Sequence, residues 1–486
     1  MNKKVLETFE CDGRNIFMGR LYLEGGKDNV VLPNNLTVKG SLELMNWDVS
    51  SLPKGLIIES DFILKGQSDD TKYLPDDMKV YKEVRLFDTC IERLPASINH
   101  LQFLWVCNSP LKCLPENSTI DEGLFLKDVK VTLLPDALKI GGFLRVENCP
   151  LESLPSGLVV EGDAYFRDIL LTEIPEGVAF GGDLNIKGTN ICKLPKGLVV
   201  GGSLNIAETN ITELPKDISI GGSLIAYSSR LASLPEFKKM WYLNIRNTSI
   251  SELPNNIVIS DDLDISTTGI TKLPKNSVIC ENVYADNQSL EELPSDTIIG
   301  GDIYCAGVAP EFKMEDLKVC GDIEVGNPAK RLTSPPNYKN AKIYMNELGT
   351  FICVDRMFLE VIHRHNDIFK VRYVDSKYPF YLVADEAGNW AHGSTLHEAM
   401  EDLQFKGSSR SVEYYKGMKL DDILSKKDAV VCYRTITGAC RFGTNAFLRK
   451  RLKVDKASYS IREIMELTEG EYGHEKFVSF FTNDQS

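Results

Sequence analysis

The chain has no run of about eighteen apolar residues anywhere in its 486 positions, so a membrane-spanning helix is not expected. Its 12 cysteines include no Cys-x-x-Cys pair, and its six histidines do not join them at ligand spacing. That argues against a zinc site, and no metal or cofactor is expected. Several cysteines fall at apolar positions, as in a reduced compartment such as bacterial or host cytosol. Positive charge is in deficit: 55 Lys and Arg face 69 Asp and Glu, for a net charge of −14 and a pI near 5.1. A general binder of nucleic acid or of anionic membrane is therefore not expected. The opening stretch Met1-Asn2-Lys3-Lys4-Val5-Leu6-Glu7-Thr8-Phe9-Glu10 lacks the apolar run of a Sec signal peptide.

What the chain has is a repeat. Gly181 to Pro215 reads as two copies of one unit. Leu184, Ile186, Thr189, Ile191, Leu194 and Pro195 return 20 residues later as Leu204, Ile206, Thr209, Ile211, Leu214 and Pro215. Fourteen prolines from Pro33 to Pro294 carry the punctuation outward; 12 of the 13 steps are 20 or 19 residues, and Pro53 to Pro75 is 22. Each follows a leucine except Pro175, which follows Ile174. A period this short marks a solenoid.

Each part of the unit has a physical reading. The alternation at Leu204 and Ile206 predicts a short strand with one buried face. The following Thr or Ser, as at Thr89, Ser109, Thr189 and Thr209, turns inward, with a hydroxyl able to bond a neighbouring coil. Leu-Pro stops pairing and sets an extended back. Gly201-Gly202 permits a tight corner into the next strand. No repeat has space for a full helix, so stacked coils must supply the core.

The pattern resembles the short leucine-rich repeat of the LPX type, whose core is L-x-L-x-x-N-x-L-x-x-L-P, with Thr or Ser mostly standing where that family has Asn. The resemblance implies a β-rich leucine-rich-repeat solenoid, followed here by a small α+β domain. It also implies a bacterial type III secreted virulence effector, EspR-like, made in the bacterial cytoplasm and delivered to host cytosol by a non-Sec route.

Four segments are expected. Residues 1–29 form an N-terminal cap and residues 30–308 the solenoid. Residues 309–341 are a degenerate repeat serving as closing cap or linker, with Pro328, Pro335 and Pro336. Residues 342–486 form the α+β domain. Strands are expected at Phe351–Val354, Phe358–Ile362, Phe369–Val374 and Tyr378–Val383. Helices are expected at Ser394–Leu403, Leu420–Lys426, Phe442–Lys453, Ser460–Thr468 and Glu475–Phe481.

Two chemistries are candidates in that last domain. Cys440, in a Gly-bounded turn before a helix and beside Arg441, would be an activated thiol. His392, in a Trp-Ala-His-Gly turn, would be its base, with Asp385 or Asn389 orienting it. The bland alternative is a buried small Cys440 and glycines that serve turns. Cys353-Val354-Asp355 matches the Cys-x-Asp of the ubiquitin-ligase domain found in some LPX effectors. That domain is larger and all-helical, whereas this motif falls in an expected strand, so three letters carry little.

The strands themselves offer a binding face. Residues between core positions face the concave surface. In the first half these are Arg85, Phe87, Phe103, Trp105, Phe125, Phe143, Arg145, Tyr165 and Arg167, which is hot-spot chemistry. In the second half they turn polar and acidic: Asp183, Asn185, Asn205, Asn244, Asp262, Asp264 and Asp302. The expected function is a secreted effector that binds a host protein through this face. The alternative is a Cys-dependent enzyme whose repeats recruit substrate. Oligomeric state is not legible.

Overall fold

The Leu-x-Ile alternation does form strands, and they pair in parallel with the coil before and the coil after. In the computed structural model the ladder begins at Leu21–Glu24, which pairs with Leu42–Trp47. It runs coil by coil to Ile323–Val325, which pairs with Ile303–Val308. The described residues are 4–482 except 29, 292–293, 295, 309–317, 327–329, 332–343, 346–349, 355–356, 375, 387–388, 408–411, 440–443, 445–446, 450–455 and 472. Two units are distinguished, Met1–Thr333 and Ser334–Ser486.

The first unit is a leucine-rich-repeat solenoid. Each coil contributes a ladder strand such as Leu204–Asn205 and a short return strand such as Val199–Val200. The return strands make their own parallel pairings, Val159–Val160 with Ala179–Phe180 and on to Val199–Val200. The inward positions Leu144, Val146, Leu184, Ile186, Leu204 and Ile206 are fully buried in one continuous core. A hairpin of Phe9–Cys11 and Arg14–Phe17 begins the stack, the second strand lying parallel to Leu36–Val38.

Two local readings need correction. The hydroxyls of Thr189 and Thr209 turn back on their own coil, each donating to a carbonyl three residues back, at 2.7 Å. Thr89 and Ser109 do bond across coils, at 2.8 Å between hydroxyls. The Gly-Gly corner is a matter of close approach, since a Cβ at Gly202 would collide with the Asp183 carboxylate. Glycine is not obligatory there, because Trp241 and Asp261 take the same place in later coils, each amide bonding the carbonyl of the coil before.

The second unit carries a six-stranded antiparallel meander, from Tyr344–Met345 through Phe351–Val354, Met357–His365, Ile368–Tyr373 and Phe380–Ala384 to Trp390–Gly393. Helix α1, Leu396–Gly407, packs on its last two strands. Helices α2 (Lys426–Thr437), α3 (Ile461–Leu467) and α4 (His474–Thr482) share a second core with Tyr415, Cys432, Tyr433, Phe477 and Phe481. The helix expected over Leu420–Lys426 is absent: Ile423–Ser425 is a strand, and Ser425 caps α2 by accepting from the Asp428 amide. A buried pair between Asp402 of α1 and Arg434 of α2 joins the two parts of this unit. Of the helix expected over Phe442–Lys453, Thr444 and Phe447–Arg449 are described and are helical; the rest of it and most of the 309–341 segment lie outside the described residues.

Candidate binding face

Register decides which side chains share a surface. Arg85, Trp105, Phe125, Arg145 and Tyr165 are direct partners on successive strands and form one outward column. Glu83, Phe103, Gly123 and Phe143 form the column on one side. Phe87, Cys107, Lys127, Glu147 and Arg167 form the column on the other.

The rings touch one another. Trp105 meets Phe125 edge-on at 4.7 Å and Phe87 at 6.3 Å. Its indole N–H donates to the Cys107 sulfur at 3.0 Å, which fixes the ring plane. Burial pushes the Cys107 thiol up, so it stays protonated beside the indole. Phe103 and Phe143 approach to 6.2 Å across Gly123, where a Cβ would strike the Phe143 ring.

Phe125 is not exposed, contrary to the expectation from alternation. It is 8% accessible, yet stands apart from the solenoid core. Trp105 covers one side and the Arg145 guanidinium lies 5.4 Å from the ring centre on the other. Trp105, at 38%, is the exposed ring of the column. The arginines do not offer free charge. Arg85 is held by Glu83 at 2.8 Å, Arg145 by Glu147, and Arg167 by Asp168 at 3.2 Å. Arg145 also lies 4.8 Å from the Tyr165 ring centre. The patch is thus aromatic, pre-ordered and close to neutral. Sequence reasoning missed Cys107, Gly123, Glu83 and Glu147; the carboxylates could have been found as residues two away from Arg on the same strand face.

The polar columns of the second half are largely spent inside the fold. Asp183 accepts from the Ser203 amide, Asp262 from the Asn282 amide at 2.8 Å, and Asp302 from the Asp322 amide at 2.7 Å. Asn185, Asn205, Asn244 and Asp264 each accept from the amide two residues on, at 3.0–3.2 Å.

Of the candidate catalytic residues, His392 lies in the strand Trp390–Gly393 and not in a turn; it pairs with Leu382 and its ring meets Phe380 edge-on at 6.1 Å. Asp385 closes the preceding turn, its carboxylate accepting from the Asn389 amide and side chain at 2.8 Å. Asn389 sits just ahead of the strand, three residues before His392 or about 10 Å along an extended chain. Cys440 and Asp355 lie outside the described residues. Ala439 and Thr444, which flank Cys440 in sequence, line a cavity of about 160 Å³ with Val430, Tyr433, Tyr459 and Ile464. Among the described residues no His, Cys, Asp or Glu group could hold a metal, and no helix is long and apolar enough to cross a membrane.

No family model and no curated protein matches the chain. Solved structures similar to it include the leucine-rich effector protein YopM from Yersinia pestis, at 17% identity and a TM-score of 0.23, covering 54% of this chain and 83% of that one. YopM from Yersinia enterocolitica WA-314 is similar at 16% identity and a TM-score of 0.16, covering 60% of this chain and 86% of that one. Overlaps of this size bear on neither family nor function.

Proposed function

We propose that the chain is a protein-interaction scaffold, a secreted bacterial effector whose strand face binds a host protein through the Trp105 patch. The observation that carries the reading is the exposed indole of Trp105, oriented by Cys107 and backed by Phe87 and Phe125. An aromatic anchor already held in place loses little entropy on binding. The flanking arginines are neutralised by their own carboxylates, so the contact is apolar and its affinity changes little with salt. The LPX-like repeat supports delivery by type III secretion into host cytosol.

The test is capture of host proteins from lysate by the full chain and by Trp105→Ala. Loss of such an anchor costs about 2 kcal/mol, roughly thirtyfold in affinity. A captured protein that disappears with Trp105→Ala at an unchanged melting temperature supports the reading. Capture that survives the substitution moves the site elsewhere.

A further inference from the structure

From Phe125 to Tyr227 the ladder face fills aromatic surfaces with its own cations. Arg145 lies over Phe125 and Tyr165 and is paired to Glu147. Lys187 lies 5.1 Å from the Tyr227 ring centre and 3.2 Å from Glu208. In each case ring, cation and carboxylate form one unit.

Further along, the rings and carboxylates recur without the cation. Tyr284 and Tyr304 stack at 5.2 Å with 7° between their planes. One strand earlier in the same column stands Asp264, the direct register partner of Tyr284 on the side away from Tyr304. The corner place that Gly202 and Gly222 hold becomes Trp241, Asp261 and Glu281. Among the described residues no Lys or Arg pairs with Asp261, Asp264 or Glu281, and none lies over Tyr284. Glu324 differs, since the closing strand sets Arg331 opposite it, and it is no part of this surface. Burial, and then Asp262 and Asp261, push the Glu281 carboxyl up, as expected of like charges with no counter-ion. Burial and then Asp262 push the Tyr284 phenol up, so the ring stays neutral.

We infer that this part of the ladder face, centred on Tyr284 with Asp261, Asp264 and Glu281, is a second docking surface, and that it takes an arginine-rich segment of a protein partner. A guanidinium stacks on a ring face while its edge donates to a carboxylate, which an ammonium does less well. Arg145 shows the same arrangement within this chain. The surface lies eight strand steps from Phe125, about 38 Å along the ladder. It rests on the reading of this face as a binding face but not on the Trp105 patch.

The test uses the full chain and a fluorescein-labelled peptide of alternating arginine and serine, followed by fluorescence anisotropy. Asp264→Asn keeps the bond to the Ser266 amide, as Asn244 does in the preceding coil, and removes the charge. Combined with Asp261→Asn and Glu281→Gln, it should weaken peptide binding about tenfold. Neutralising three exposed carboxylates elsewhere, Glu152→Gln, Glu173→Gln and Glu213→Gln, should change it less than about twofold. Tyr284→Leu, with all charges in place, should weaken it about threefold. An equal effect of the two triple variants, or no effect of Tyr284→Leu, would overturn the proposal, because background charge would then explain the binding. Trp105→Ala should leave peptide binding unchanged, which separates failure of this surface from failure of the Trp105 patch.

Discussion

The two halves of the ladder share a core and differ on their outer face. From Phe62–Gln67 to Ala164–Ile169 the ladder strands are five to nine residues long. From Leu184–Asn185 to Leu263–Asp264 they are two residues long. The inward residues are equally buried in both, so the core does not set strand length. The central outward column does. Where it holds Arg, Trp, Phe or Tyr, strands run on; where it holds Asn or Asp, the side chain captures the amide two residues ahead and ends the strand. Other residue types go either way: Glu43 and Ile63 stand in the same column on six-residue strands, whereas Ile225 stands on a two-residue strand between the Asn205 and Asn244 coils. Val283–Leu290, with Tyr284 in the column, is long again. Short polar side chains regularise the coils, and aromatic ones build a surface.

If the core is common to both halves, emptying it should cost as much in either. Phe166→Ala and Ile206→Ala each delete a fully buried side chain of that core, and each should lose about 3–4 kcal/mol in urea unfolding. A much smaller loss in the second half would mean that its coils are held by their polar ladders instead.

Outer-face changes should separate the halves. Phe125→Ala removes a ring that Trp105 and Arg145 enclose, and should cost about 2 kcal/mol. Asn205→Ala removes one side-chain bond to the Ala207 amide and should cost about 1 kcal/mol. Trp105→Ala should barely move the melting temperature. Equal losses at Phe125 and Asn205 would erase the distinction between a built surface and a strand terminator.

The start of the same column supplies a pH test. Glu43 is buried and bonded by Lys65 and Arg20, and those bonds, Lys65 first, hold its carboxyl below the usual range. A carboxyl with a lowered folded value adds stability above its unfolded pKa of about 4.3 and loses it as pH falls through the folded value. Relative to the native chain, Glu43→Gln should therefore lose about 1 kcal/mol at neutral pH, and the gap should close as the solution is acidified below that range. A gap that stays constant with pH would show that the charge of Glu43 contributes nothing.

The solenoid was legible because one period fixes every register at once. Leu184, Leu204 and Leu224 stand in line because the sequence spaces them evenly. The outward columns of Arg85, Trp105 and Phe125 followed from the same spacing. Burial on that face was not legible, because Phe125 is covered by side chains from neighbouring coils and not by its own. Asp183 and Asp302 read as surface charge and turned out to hold backbone amides, a bond that pattern alone does not show. In the second unit no period exists. In Leu420–Lys426 the apolar Leu420, Ile423 and Leu424 stand at helical spacing, yet Ile423–Ser425 is a strand, and the true start of α2 was marked by Ser425 with Asp428 three residues on. His392 read as part of a turn because of its glycine, which the strand instead places against the start of α1.

The amides of Asp183, Ser203 and Ser223 each donate to a side-chain oxygen one coil earlier, the Asp163 and Asp183 carboxylates and then the Ser203 hydroxyl. A coil inserted among them meets a side-chain oxygen acceptor on one side and a backbone amide donor on the other. Duplicating or deleting one 20-residue unit would close the stack again with no new contact to invent. The chain is in that sense a ruler: each added unit would shift Trp105 away from Tyr284 by one strand step of about 4.8 Å, leaving both surfaces intact. The separation of the two proposed docking points would then be set by gene length alone.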